Sequence, residues 1–121
     1  MTTNDTYLAV FLGSRTGQRM AEWMALSETE RRVKTQEGIS AWKAWTQTHH
    51  ASIIGMGGPL GKTKRISRHG VEDTGNEMSG YTLVRAPSHD AAAKLFENHP
   101  HFTIFPGDAV EVMPVLPIPG A

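Results

Sequence analysis

The chain has 121 residues, with 12 Lys or Arg, 12 Asp or Glu, six His and no cysteine. A chain of this length supports one hydrophobic core, and zero net charge excludes a general nucleic-acid or anionic-membrane binder, which needs a basic surplus. The missing cysteine excludes disulfides, thiolate nucleophiles and cysteine-ligated metal centres, so any chemistry must come from His, carboxylates, Lys or Arg, or from an added ligand.

A single domain, residues 1–121, is therefore expected. The N-terminal stretch has no basic region, and its one apolar run, residues 7–12, is too short for a signal core or a membrane span. A cytoplasmic location with no membrane partner is expected.

Residues 7–12 are apolar and β-rich and end at Gly13, which predicts a first strand. Met20, Trp23 and Met24 recur at helical spacing, which predicts a short helix over 18–26. Ser27 and Glu30 form a capping box that starts a longer helix reaching about His49, with Ile39, Trp42 and Trp45 as its apolar stripe. Residues 52–56 predict a second strand, closed by Gly57, Gly58 and Pro59. Residues 62–68 either extend that strand or form a hairpin arm, and the acidic stretch 70–79 is expected to be a loop. A third strand is predicted over 81–86. Ser88 then caps a helix over 90–98, with Ala92, Leu95 and Phe96 facing inward and Pro100 ending it. A fourth strand is predicted over 109–113, and the three prolines of 113–121 predict an extended tail. The order β-α-β-β-α-β is that of an α+β, ferredoxin-like split βαβ fold, an antiparallel sheet with helices on one face.

Alternation gives each strand two faces. Leu8, Val10, Leu12, Thr82, Val84, Ala86, Val110 and Val112 are aliphatic or small and are expected to meet the helices. The other set, with Tyr7, Phe11, Tyr81, Leu83 and Met113, is still largely apolar, and monomers rarely leave such a patch in water. A second copy of the chain is the expected cover, giving a homodimeric α+β barrel; the alternative cover is the 70–79 loop with the tail. Arg85 and Glu111 fall among these apolar neighbours and are expected to pair with each other, with the partner chain or with a ligand.

The run GMGGPLGKT (55–63) lacks the first glycine of a phosphate loop, since Met56 stands in its place, and no helical period follows. A strand end and glycine turn is the expectation, with Lys62 placed to meet an anion. Lys62, Lys64, Arg65, Arg68 and His69 read as a solvated edge rather than a nucleic-acid patch. His99-Pro100-His101 is the most suggestive triplet. The histidines are candidates for acid–base or ligand contact, for a metal site with Glu111 or Asp108, or for a cap at a helix C-terminus. His49 and His50 read as helix-end residues without a site role, and His69 and His89 as exposed. Trp42 is core or, with Gly38, the wall of a pocket facing residues 57–59.

The strand-turn GGPLGKTKRIS, the helix ending AAAKLFENHPHF and the closing VEVMPVLPIPG resemble the YCII-related (DGPF-like) family of small bacterial proteins. The resemblance implies a ferredoxin-like fold and a dimeric barrel. It also implies, for some members, a catalytic His–Asp pair; the corresponding positions here hold His99 in place of the Asp and fall near Ala41 in place of the His, so that pair is absent.

The resulting expectation is a homodimer that binds, and transforms, a small organic molecule near His99, the long helix and the 57–59 turn. His99 is the acid–base candidate. Arg85, Lys62, Glu111 and His101 are polar ligand contacts, and Trp42, Pro59 and Tyr81 are wall residues. No cofactor or metal is called for. The competing expectation is a non-catalytic binding or accessory module.

Overall fold

The computed structural model describes residues 5–120. The strands are β1 (Asp5–Leu12), β2 (Ile53–Pro59), β3 (Thr63–Ser67), β4 (Gly70–Thr74), β5 (Met78–Ala86) and β6 (Ala109–Pro114). The helices are α1 (Gln18–Ala25), α2 (Glu28–Thr48), α3 (His89–Lys94) and α4 (Pro100–Thr103), with a single 3-10 turn at His50–Ser52. The capping box forms as the sequence predicts: the Ser27 hydroxyl accepts from Glu30 N, and the Glu30 carboxylate accepts from Ser27 N. That pair holds the Glu30 carboxyl below its usual range and starts the 21-residue α2. No helix among the described residues is long and apolar enough to cross a membrane.

Strands β2-β5-β1-β6 form one antiparallel sheet in that order, the ferredoxin-like arrangement. The helices cover one face. Tyr7, Ala9, Phe11, Val84, Ala86, Trp45, Ala92 and Phe96 make up the buried core there.

The register corrects the expectation for β1. Tyr7 lies opposite Val84 and Ala9 opposite Thr82, so Tyr7, Ala9 and Phe11 face the helices, and Leu8, Val10 and Leu12 face away. Both faces of β1 are apolar, so alternation alone does not choose between them. The larger rings of Tyr7 and Phe11 fill the space beneath the helices. The opposite face carries Leu8, Leu83 and Met113 in one cross-strand row, and Tyr81 and Met113 there are 38% and 40% exposed. Arg85 lies opposite Thr6, whereas Glu111 lies opposite Val10 on the other side of β1. The two are thus displaced along the sheet as well as across it. Both are exposed, and neither forms an ion pair among the described residues.

Two further expectations change. The 70–79 stretch is not a loop: β4 pairs with β3 as a hairpin arm, and β5 begins at Met78. Lys64 meets Asp73 at 2.6 Å and Arg65 meets Glu72 at 3.6 Å across the arm, so two residues of the basic run are neutralised by two of the acidic run. Pro100 does not end a helix. Helix α3 stops at Lys94, and Asn98 takes a left-handed φ of 57° after the following turns. Pro100 then opens α4 at its first turn, where its missing N–H costs nothing.

Candidate functional site

Pro100 restricts the residue before it to an extended conformation, and His99 adopts φ −63° and ψ 141°. That places His99 as the N-cap of α4. Its Nδ1 accepts the His101 backbone N–H at 3.0 Å, so the proton of the neutral ring sits on Nε2. His99 has no exposed surface, and its Nε2 has no hydrogen-bond partner among the described residues. Aromatic rings enclose it: Trp42 at 4.5 Å and Trp45 at 4.6 Å, both edge-to-face, and Phe11 at 5.2 Å between centroids. Burial pushes its pKa down to about 4, with His101 and His49 adding to the effect. The cap is therefore an N-cap of the following helix, not a partner for the C-terminal dipole of the preceding one. Trp45 is fixed in turn by its indole N–H, which donates to Leu95 O at 2.7 Å.

His101, two residues on, is placed differently. Its Nε2 donates to Leu12 O at 2.8 Å, which leaves a lone pair on Nδ1 of the neutral ring. Burial lowers its pKa, and the Leu12 and Ala109 carbonyls and Asp108 partly oppose that shift. The ring packs so closely on Gly107 that a Cβ there would lie 2.2 Å from it. Arg19 of α1 secures this turn: Nε donates to Gly107 O at 2.7 Å, and Nη2 donates to the carbonyls of Phe102 and Phe105. Phe105 can approach α2 because residue 38 is glycine; a Cβ there would lie 2.4 Å from the Phe105 ring.

Between α2, the end of β2 and the sheet lies a cleft of about 900 Å³. Phe11, Trp42, Met56, Pro59, His101 and Phe105 form its predominantly apolar walls, with Gly80 and Thr82 of β5 beneath. Thr82 Oγ1 donates to Met56 O at 3.0 Å and braces the β2 wall. A cleft of this size and lining is in the range that encloses small organic ligands.

The structure thus brings together Trp42, Pro59, Tyr81 and His101, where the sequence places a pocket between the long helix and the glycine turn. His99 lies behind the Trp42 wall and does not line the cleft. Lys62 lines a separate cavity at the base of the arm. Arg85 and Glu111 are on the opposite face of the sheet. Among the described residues, no three His, Asp or Glu side chains gather in a metal-holding group. Sequence reasoning missed Arg19 and Phe105. Arg19 reads as an ordinary surface charge on a short amphipathic helix, and Phe105 lies next to a Pro-Gly turn with no polar signal.

No family model matches the chain, and no curated protein matches it. Among solved structures, it is similar to TftG, the 5-chloro-2-hydroxyhydroquinone dehydrochlorinase of Burkholderia phenoliruptrix AC1100, determined in complex with 2,5-dihydroxybenzoquinone. The identity is 17%, the match covers 89% of this chain and 90% of that one, and the TM-score is 0.51. At that identity the likeness is one of fold, an α+β arrangement with an antiparallel sheet, which agrees with the ferredoxin-like fold expected from the sequence.

Proposed function

We propose that this chain is a homodimeric, YCII-related protein that binds a small planar organic molecule in the Trp42–His101 cleft. The observation that carries the reading is the cleft itself: aromatic and aliphatic walls with one buried histidine whose ring is oriented from behind by Leu12 O. Such a site takes an apolar ring, and the Nδ1 lone pair of His101 accepts a hydrogen bond, or a proton, from a hydroxyl on that ring. His101 rather than His99 is the acid–base candidate, because His99 is sealed behind Trp42. The dehydrochlorinase neighbour is described with a dihydroxylated ring, which supports this ligand class.

Among the described residues the walls contain no carboxylate to work with His101, and the charged side chain lining the cleft is Lys43. That composition favours a second reading, a binding module without turnover. A thermal-shift and fluorescence titration with hydroquinone and catechol tests the site. The expected result is a saturable shift, abolished in Trp42→Ala, weakened in His101→Gln and unchanged in Arg85→Ala. A shift indifferent to both Trp42 and His101 overturns the assignment. Conversion of a bound phenol that disappears in His101→Gln separates chemistry from binding alone.

The homodimer reading rests on the open sheet face, where the row of Leu8, Leu83 and Met113 has no covering layer among the described residues. Light scattering is expected to give twice the chain mass, and Leu83→Glu to give the monomer. A wild-type monomer refutes this part of the reading.

A further inference from the structure

Three cavities adjoin one another at this end of the molecule. The apolar cleft shares Ser79, His101 and Phe105 with a smaller cavity of about 240 Å³. That cavity shares Arg15, Asn76 and Met78 with a third, of about 480 Å³, at the base of the β3–β4 arm.

The character of the walls changes from the first to the third. The first cavity is aromatic. The third carries Arg15, Lys62 and Lys64 against one carboxylate, Asp73. Lys64 is committed to Asp73 at 2.6 Å, whereas Arg15 and Lys62 form no ion pair among the described residues. Glu77 lines the middle cavity and opposes them there, which still leaves a positive surplus at the far end. His101 at the waist is held toward its neutral form by burial and adds no lasting charge between the two ends. Two uncommitted cations in a concave setting concentrate anions locally.

We propose that the ligand is an elongated organic acid: its ring occupies the Trp42 cleft, its chain passes the His101–Phe105 waist, and its carboxylate lies between Arg15 and Lys62. This rests on the cleft reading above and specifies the substrate class. It gives Lys62 the anion-orienting role that the sequence suggests, through a neighbouring cavity rather than the cleft itself.

The test is calorimetric titration with ω-phenylalkanoic acids of increasing chain length and the matched ω-phenylalkanols. Beyond a threshold length the acid is expected to bind about fivefold tighter than the alcohol, the scale of partly exposed ion pairs. An Arg15→Gln/Lys62→Gln double variant is expected to bring that ratio to about one without weakening the alcohol. Lys43→Gln, at the cleft, is expected to leave the ratio unchanged, and Trp42→Ala to weaken acid and alcohol alike. If the alcohols bind in a Trp42-dependent way but the acids show no advantage at any length, the anionic end is wrong and the cleft reading stands. An advantage that survives the double variant, or that disappears in Lys43→Gln, also overturns the proposal. If neither series binds while hydroquinone does, the proposal falls and the cleft reading stands; if hydroquinone also fails to bind, the two fall together.

Discussion

The layer beneath α2 and the β3–β4 arm achieve order in opposite ways. In the layer, Phe11, Trp45, Phe96 and His99 pack ring against ring, and among the described residues His99 lacks even a partner for its Nε2. In the arm, nine of ten strand residues are exposed, and opposite charges zip the strands together. The layer depends on contacts between residues far apart in the chain, where volume and desolvation dominate. The arm depends on near neighbours in water, where each pair contributes little. The same polar atom therefore has a different energetic weight in each region. An imidazole nitrogen without a partner constrains the layer, whereas a 2.6 Å ion pair in the arm is nearly dispensable.

The sharpest way to break the layer is His99→Ala. It removes the N-cap acceptor, worth about 0.5–2 kcal/mol, and leaves a void between two indoles. A loss of about 3 kcal/mol is expected in urea denaturation. His99→Asn restores a cap acceptor and is expected to recover about 1 kcal/mol of it. Protonation probes the same residue without mutation. The folded pKa of His99 is about 4, below the ordinary 6.5, so the unfolded chain binds the proton more readily. The stabilising contribution of the neutral ring is complete above about pH 6.5 and is lost as pH falls from there through about 4, by about 3 kcal/mol in all. His101, also shifted down, acts in the same direction. Stability measured against pH is expected to show this acid slope in the wild type and a shallower one in His99→Asn. Equal slopes would mean that His99 does not govern it.

Gly107→Ala is the next largest. A Cβ 2.2 Å from the His101 ring forces the imidazole to move, and its bond to Leu12 O is lost with the shift. The expected cost is about 1–3 kcal/mol, together with weaker binding of hydroquinone in the cleft, because the ring is then no longer aimed by Leu12. If binding is unaffected while stability falls, His101 packs the wall without touching the ligand.

The two regions were also unequally legible. The capping box and the sheet with its four predicted strands are readable because each rests on short-range pattern. The glycine run is not: Gly57, Gly58 and Pro59 read as a turn after the second strand, yet they continue β2, which takes up the glycines as register shifts against β5. The pocket between α2 and residues 57–59 is readable because an aromatic on a long helix facing a glycine-rich segment is itself a pattern, whether that segment turns or, as here, ends a strand. The facing of β1 is not, since both of its faces are apolar and only the register with β5 decides. Nor does sequence distinguish His99 from His101. They are two residues apart, and one becomes a buried cap and the other a cleft residue because Pro100 begins a helix there instead of ending one. The arm leaves a fainter signal. Lys64-Arg65 and Glu72-Asp73 are mirror images about the turn at 68–69, the arrangement expected of a hairpin, but the glycine and acid content of 70–79 reads as a loop when taken alone.

The smallest effect is expected in the arm, and it is the one that tests the comparison itself. Lys64→Ala removes an ion pair whose side chains are 68% and 84% exposed. Global stability is expected to change by less than about 0.5 kcal/mol, because water replaces the lost partner on both sides. Local opening is expected to respond, since a two-stranded hairpin is marginal by itself and this one has few other restraints. Amide exchange should therefore quicken across residues 63–74 while the rates in β1 and β5 stay as they were. If Lys64→Ala instead lowers global stability by more than 1 kcal/mol, the arm is coupled to the body, and the division between a packed layer and a self-zipped arm is wrong.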